Sequence, residues 1–245
     1  MSSKKRVMAV IPARAGSKRL PDKNVTHVAG TPLVAWSIRT AQACESIDVV
    51  LVTTDDHRVI EIAQSLGAEV RVRPADLCHD DTPSLPVIFD ALDYVNDEVT
   101  TVLLLQPTSP FRRLADLDAA TAVLNSGSAD GVIAVSKCKL GTDWMLPIAG
   151  GHLKMPGATE QSRSRVQDQT ERFTPNGNFY AFRTACMSRS LMYPPGCRIA
   201  PHEVPQPYSL DIDSCDDLKM AEAVAIGWQL APELIPSGGR RRASL

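Results

Sequence analysis

An α/β fold built on a mostly parallel sheet is predicted by three features of this sequence. Apolar, β-rich runs alternate with segments of helical spacing. Those runs are continuous rather than alternating, as strands buried on both faces require. With 245 residues, 44% of them hydrophobic, the chain can bury a substantial core in one large domain, or in one domain with a smaller lobe.

The strands read in order as "RVMAVI" (6–11), "DVVLVTT" (48–54), "TVLLLQ" (101–106) and "GVIAVS" (131–136). Between them, "TPLVAWSIRTAQA" and "DHRVIEIAQSLGA" carry helical patterns, and Leu85, Ile88, Phe89, Leu92 and Val95 recur at helical spacing. This gives βαβαβαβ over 6–136, within a first part spanning 1–136. Regular periodicity stops after Ser136. Residues 137–177 hold scattered Gly and Pro and the tract "TEQSRSRVQDQTERFTPNG", which reads as an inserted arm, either a mobile loop or a subunit contact. "NFYAF" resumes the sheet as a strand, and 178–235 completes the α/β domain. A last helix starts near Ser214, whose Ser-x-x-Asp spacing to Asp217 is a capping-box signal. Residues 236–245, "SGGRRRASL" with its preceding Pro, read as a flexible tail with no assigned function.

Composition excludes several functions. The formal net charge of −2 gives the whole molecule no pull toward nucleic acid or anionic membrane. Cys44, Cys78, Cys138, Cys186, Cys197 and Cys215 are dispersed with no Cys-x-x-Cys pair, so neither a disulfide framework nor a zinc knuckle is expected. The five histidines show no ligand spacing. The apolar run "VMAVIPA" is too short for a signal peptide, and no stretch approaches the roughly 20 apolar residues of a membrane span. A cytoplasmic protein is expected.

One local feature departs from that bland surface. "IPARAGSKRLPDKN" (11–24) places Arg14, Lys18, Arg19 and Lys23 at the carboxyl end of the first strand, where open α/β sheets bind ligands. It has neither the P-loop order nor Gly-x-Gly-x-x-Gly, since Gly16 is its one glycine. What remains is phosphate capture by side chains and backbone. Arg14 can grip two oxygens as a fork, Lys18 and Lys23 act as point charges, and Gly16-Ser17 lets N–H groups approach. Without a ligand such a cluster repels itself, so a bound polyanion, a nucleoside triphosphate, is expected to supply the missing charge. "QPTSPFRR" follows "TVLLL" at the same sheet edge.

A triphosphate site calls for magnesium, and magnesium calls for oxygen ligands. In "YSLDIDSCDD", Asp211 and Asp213 flank Ile212. In an extended segment both carboxylates face one side while Ile212 faces the core. Asp216 and Asp217 belong to the following helix N-terminus, where the dipole favours them.

"IPARAGSKRLPDKN", "LLQPTSPFR", "NGNFY" and "LDIDSCDDLKMAE" occur in the order seen in the cytidylyltransferases that activate sialic and related nonulosonic acids, and residues 6–226 resemble that family. The resemblance implies a Rossmann-like nucleotidyltransferase fold of the GT-A-like kind, CTP as nucleotide, Mg2+ as cofactor, an acidic sugar as second substrate, and a homodimer joined through the arm. It further implies that Arg14, Ser17, Lys18, Lys23 and Asn24 hold the nucleotide and its phosphates. Arg73 and Ser84 then lie near the cytosine and ribose, Gln106, Arg165 and Asn176 near the acid sugar, and Asp211 and Asp213 on the metal. Arg14, Lys23, Asp211 and Asp213 form the catalytic set.

The implied reaction is attack by the sugar's anomeric hydroxyl on the α-phosphorus of CTP, with pyrophosphate leaving. No side chain stands out as a general base. The sugar side departs from the family pattern. Thr174 stands where an arginine often precedes "PNG", Arg163 and Arg165 are spaced differently from the usual pair, and Val166 falls where the second is expected. Lys137 or Lys139 could serve as the arm lysine. The branch that activates 3-deoxy-manno-octulosonate places an acid in the loop that reads "QPTSP" here. Its absence favours the nonulosonic branch. A glycosyltransferase using Asp-x-Asp is the competing class, and the long cationic loop argues against it.

Overall fold

In the computed structural model the described residues are 6–95, 98–138, 148–150, 152–153, 171–191 and 194–230. Strand β1 (Arg6–Pro12) leads through the cationic loop to a small hairpin, β2 (His27–Val28) and β3 (Thr31–Pro32), and then to α1 (Leu33–Ala43). There follow β4 (Val49–Thr54), α2 (His57–Ser65), β5 (Glu69–Val72), α3 (Ser84–Val95), β6 (Val99–Leu104), α4 (Leu114–Ser126) and β7 (Gly131–Lys137). A two-stranded ribbon of β8 (Ile148–Ala149) and β9 (His152–Leu153) precedes β10 (Phe173–Arg183), β11 (Ile199–Glu203) and α5 (Cys215–Leu230).

The main sheet has seven strands in the order β11-β7-β10-β6-β1-β4-β5. Pairs β1–β4, β1–β6, β4–β5 and β7–β11 are parallel, and β10 runs antiparallel between β6 and β7. A mostly parallel α/β sheet is therefore what the sequence pattern indicated. Along β1, Val7, Ala9 and Ile11 face one side, against Leu33 and Ile38 of α1, Leu117 and Leu124 of α4, and Ala221 of α5. Met8 and Val10 face the other, against Ile88 and Ala91 of α3. Both faces are covered, which is why the strand reads as one unbroken apolar run.

Several elements escaped the sequence pattern, among them β11, the short ribbons β2–β3 and β8–β9, and two whose reasons are plain. β5, "EVRV", is a short edge strand with only partial burial, so its charges blur the apolar run. α4 buries Leu117, Ala120, Thr121 and Leu124, a helical i, i+3, i+4, i+7 stripe disguised by two small residues. The sheet resumes at Phe173, where Phe173–Pro175 pair with Lys137–Val135, so the boundary expected at 177 lies inside β10. Most of the expected arm and the 236–245 tail lie outside the described residues.

The chain steps from β1 outward to β4 and β5, then returns to β6 on the other side of β1. Such a reversal opens a crevice at the carboxyl ends of the two strands. The loops after β1 and β6 form its walls.

One buried polar cluster ties the far edge of the sheet to α4. Asp116 is 3% exposed; it accepts from Arg113 Nη2 at 2.6 Å and Nε at 2.8 Å, and His202 Nε2 of β11 lies at 2.9 Å. Burial pushes the Asp116 carboxyl up, but the hydrogen bonds and charges of His202 and Arg113 outweigh it and hold it below its ordinary value. A group depressed in the folded state adds stability above its unfolded value and loses it as pH falls through the folded one. Asp116→Ala is therefore expected to cost about 3 kcal/mol at neutral pH in urea unfolding. The gap between variant and parent should narrow as pH falls below about 4.

Candidate functional site

The cationic loop is pinned to the sheet at several points. Ala13 N–H extends the ladder to Thr53 O at 3.0 Å, and Thr54 Oγ1 donates to Ala13 O at 2.6 Å. Ala15 N–H donates to Asp55 Oδ1 at 2.7 Å, and Asn24 Nδ2 donates across the loop to Arg14 O at 2.9 Å. Leu20 inserts into the core. Gly16 adopts φ +71°, a left-handed turn that suits glycine. Proline stiffness alone does not hold this loop; Asp55 and Asn24 do much of it.

The expectation that the loop cations lack acidic partners is corrected by the structure. Arg14 Nη2 meets Asp80 Oδ1 at 2.7 Å, and Lys18 also pairs with Asp80. Lys23 Nζ donates to Asp213 Oδ1 at 2.9 Å, and Arg19 Nη1 meets Asp213 Oδ2 at 3.0 Å. Both carboxylates come from distant segments, so the balance is invisible in the loop itself. Hydrogen bonding from Lys18, helped by the charges of Arg14 and Lys18, holds the exposed Asp80 carboxyl below its ordinary value.

The Asp-x-Asp segment is placed by its middle residue. Ile212 is fully buried and its N–H donates to Thr108 O at 2.8 Å, so the segment lies against the loop after β6. Asp211 Oδ1 faces Ser109 Oγ at 3.5 Å, while Asp213 faces Lys23. The capping box forms as read: Ser214 N–H donates to Asp217 Oδ2 at 2.8 Å and Asp217 N–H to Ser214 Oγ at 3.3 Å.

Between these loops lies an open cleft of about 710 Å³, mouth included. Arg14, Ser17, Lys23, Asn24, Arg73, Ser84 and Gln106 all line it. Lys18 stands outside it, 80% exposed, and Asp211 and Asp213 sit beside it, tied in through Ser109 and Lys23. Asn176 turns its amide to Ser136 Oγ of β7 at 3.1 Å and accepts from Asn178 N–H at 3.1 Å, so its side chain is engaged between β10 and β7. Arg163, Arg165 and Lys139 lie outside the described residues. Lys137 is exposed and pairs with Glu171.

Arg73 differs from the loop cations. It is 6% exposed, donates from Nη2 to Thr53 O at 2.9 Å, and makes no ion pair among the described residues. Burial pushes its guanidinium down, partly offset by Cys78 and Asp55. A buried cation facing a cleft without an acid is a receptor for an electron-rich group.

Sequence reasoning missed Asp55, Asp80, Thr82, Val87 and Thr108. "DLCHDDTPS" carried a readable signal, an acidic pair in a turn just before α3, but nothing in it pointed to Arg14. Gly177 lies in "NGNFY", where nothing in the sequence marks its role. It has φ +76°, and a Cβ there would stand 3.2 Å from Gln106 Oε1, 3.3 Å from Ser109 Oγ and 3.6 Å from Asp211 Cγ.

A switch-point crevice in a mostly parallel sheet, lined by a cationic loop and flanked by paired carboxylates, fits the Rossmann-like nucleotidyltransferase fold. The chain belongs to the cytidylyltransferase family, whose model matches residues 8–196. It is 31% identical over 221 residues to the N-acylneuraminate cytidylyltransferase of Oncorhynchus mykiss, covering 89% of this chain and 50% of that protein. It is 36% identical over 156 residues to the CMP-N,N'-diacetyllegionaminic acid synthase of Legionella pneumophila, covering 62% of this chain and 67% of that one. The chain thus spans about half the length of several curated relatives it matches. In fold it is similar to a CMP:2-keto-3-deoxy-manno-octonic acid synthetase solved with CTP, with TM-score 0.65 and 18% identity over 91% of this chain and 99% of that one.

The Asp80 pairs generate a test that needs no substrate. Asp80→Asn removes a carboxylate that both occupies Arg14 and Lys18 and repels an incoming anion. Inorganic triphosphate should bind a few-fold more tightly to the variant by calorimetry, and the gain should shrink as salt is raised. Weaker binding would mean that Asp80 orders the loop rather than competing for it.

Proposed function

We propose that this protein is a magnesium-dependent cytidylyltransferase that transfers CMP from CTP to a nonulosonic, sialic acid-like sugar and releases pyrophosphate. The contact between Lys23 and Asp213 carries the reading, because it brings the phosphate loop and the Asp-x-Asp segment to one place. Family membership supplies the class of reaction, and the relatives' names supply the acid.

In this reading the triphosphate takes over Arg14, Lys18 and Lys23 from Asp80 and Asp213. Bidentate contact from Arg14 and point charges from the lysines neutralise the departing pyrophosphate, and the pinned backbone of residues 13–16 holds the phosphates in line. Ser17 and Asn24 hold the nucleotide. Arg73, after β5, and Ser84, at the start of α3, take the cytosine and ribose, and Gln106 presents its amide to the acid sugar.

Asp211 and Asp213 fit magnesium by their chemistry. They are oxygen donors only, and no group of three or more His, Cys, Asp or Glu is poised for a metal among the described residues. Two carboxylates completed by substrate phosphates is how magnesium is commonly held. When bound, it would polarise the α-phosphate and offset charge building there. Release of Asp213 from Lys23 and Arg19 frees both of its oxygens.

The reading also has the protein act as a cytoplasmic homodimer in which residues 137–177 contact the partner, with Arg165 on the sugar. No helix among the described residues is long and apolar enough to cross a membrane.

Pyrophosphate release from CTP and magnesium, assayed with N-acetylneuraminate, legionaminate, pseudaminate and 3-deoxy-manno-octulosonate in turn, tests the function. Turnover with a nonulosonic acid is expected; none with any acid overturns the reading, and preference for the octulosonate moves it to the other branch. Asp211→Asn should lower kcat on the order of a hundredfold or more with the far-ultraviolet circular dichroism unchanged. Lys23→Ala should raise KM for CTP about tenfold or more, the worth of one charge-assisted hydrogen bond.

A further inference from the structure

Arg112 is a fully charged side chain, 7% exposed, with no carboxylate in ion-pair contact among the described residues. Its fork is spent on three neutral acceptors. Nε donates to Asn178 O, Nη2 to Gln106 O, and Nη1 to Ser37 Oγ of α1 at 2.8 Å. The neighbouring Arg113 does the ordinary thing instead and pairs with Asp116.

Burying a guanidinium without an anion is costly, so what it holds deserves the cost only if it must not move. The two carbonyls belong to two segments packed against each other, of which the Gln106 segment lines the cleft. Gln106 ends the β6 wall, and Asn178 follows the Gly177 turn of β10. That turn packs so closely on Gln106 that even a methyl group would touch its Oε1. Ser109 N–H closes back on Gln106 O at 3.2 Å, the same oxygen that Arg112 holds, and Thr108 O receives Ile212 N–H. A displacement of Gln106 is therefore passed to the Asp-x-Asp segment. Burial pushes the Arg112 guanidinium down to about 9, with Asp211 pulling it back up, so it remains a cation at neutral pH.

We propose that Arg112 is a positioning residue for the acid-sugar subsite: it clamps the backbone of Gln106 to that of the Gly177–Asn178 turn and so fixes where the Gln106 amide stands on the cleft wall. The proposal rests on the functional reading above for the identity of the sugar, but the clamp itself does not. A planar fork can reach two carbonyls at once, and an ammonium cannot hold both in that geometry.

Arg112→Lys keeps the charge and removes the fork. In the full chain, KM for the acid that the parent uses is expected to rise about tenfold or more, while Kd for CTP from calorimetry stays within about twofold. An unchanged acid KM overturns the proposal, as does a parallel loss of CTP affinity, which is what a merely structural residue would give. Gly177→Ala crowds the Gln106 side chain from the same turn while leaving Arg112 in place. It should reproduce the selective rise in acid KM even if the lysine variant folds poorly, and loss of CTP affinity in its place counts against the clamp. Hydrogen exchange on the unliganded protein needs no substrate. In Arg112→Lys the Ser109 and Asn178 amides should exchange faster together, by about tenfold or more, with α1 unchanged. Acceleration at one site or neither overturns the clamp. A parent that turns over no acid but shows the coupled exchange refutes the functional reading alone.

Discussion

The structure depends on neutralising positive charge at the carboxyl end of β1. Arg14, Lys18, Arg19 and Lys23 leave one strand within a single loop, and the protein balances them with carboxylates brought from two remote places. Lys23–Asp213 is the deepest of these contacts, with the lysine side chain 14% exposed, and it crosses nearly the whole chain. A contact of that kind is made only when the sheet is complete. The phosphate loop thus acquires its geometry from the fold rather than from its own sequence.

Sheet topology explains how such distant residues meet. β1 and β6 diverge at the point where strand order reverses, and their loops form two walls. β10 enters antiparallel between β6 and β7, which carries the Gly177 turn onto the β6 wall. The chain then passes through β11 at the sheet edge and returns under the loop after β6, where Ile212 is buried and paired with Thr108. Burying that one isoleucine orients the carboxylate on each side of it. Asp213 is left facing the loop cations, and Asp211 the Ser109 hydroxyl.

What the sequence made legible follows from what each residue interacts with. The central strands were readable because burial on both faces leaves them almost wholly apolar, apart from threonines such as Thr53, Thr54 and Thr101. Arg14, Ser17, Lys23, Asn24 and Gln106 were readable as candidates because they sit in long motifs at a predicted strand end, and the cleft gathers all five. Asp80 was not readable, since its meaning lies in a partner on another loop and its own segment has no periodicity. Arg112 stood in plain view in "QPTSPFRR". Its partners are backbone carbonyls, which leave no side-chain pattern to find. β5 was lost for the opposite reason: an edge strand half in water need not look like a strand at all.

The cations in and around the cleft fall into two kinds, and the difference bears on the order in which a polyanion would be taken up. Lys18 and Arg19 are 80% and 75% exposed, so their pairs with Asp80 and Asp213 are screened and exchange readily. Arg73 and Arg112 are buried, hold neutral oxygens, and have no acid to give up among the described residues. Rim pairs keep the empty loop folded at little energetic depth, so displacing them costs an incoming triphosphate little. The buried arginines cannot reorganise in that way, and of the two Arg73 lines the cleft itself, so its charge is in place before anything binds. A loop of easily exchanged pairs above a floor of fixed charge can accept a flexible polyanion and still hold the reacting groups still.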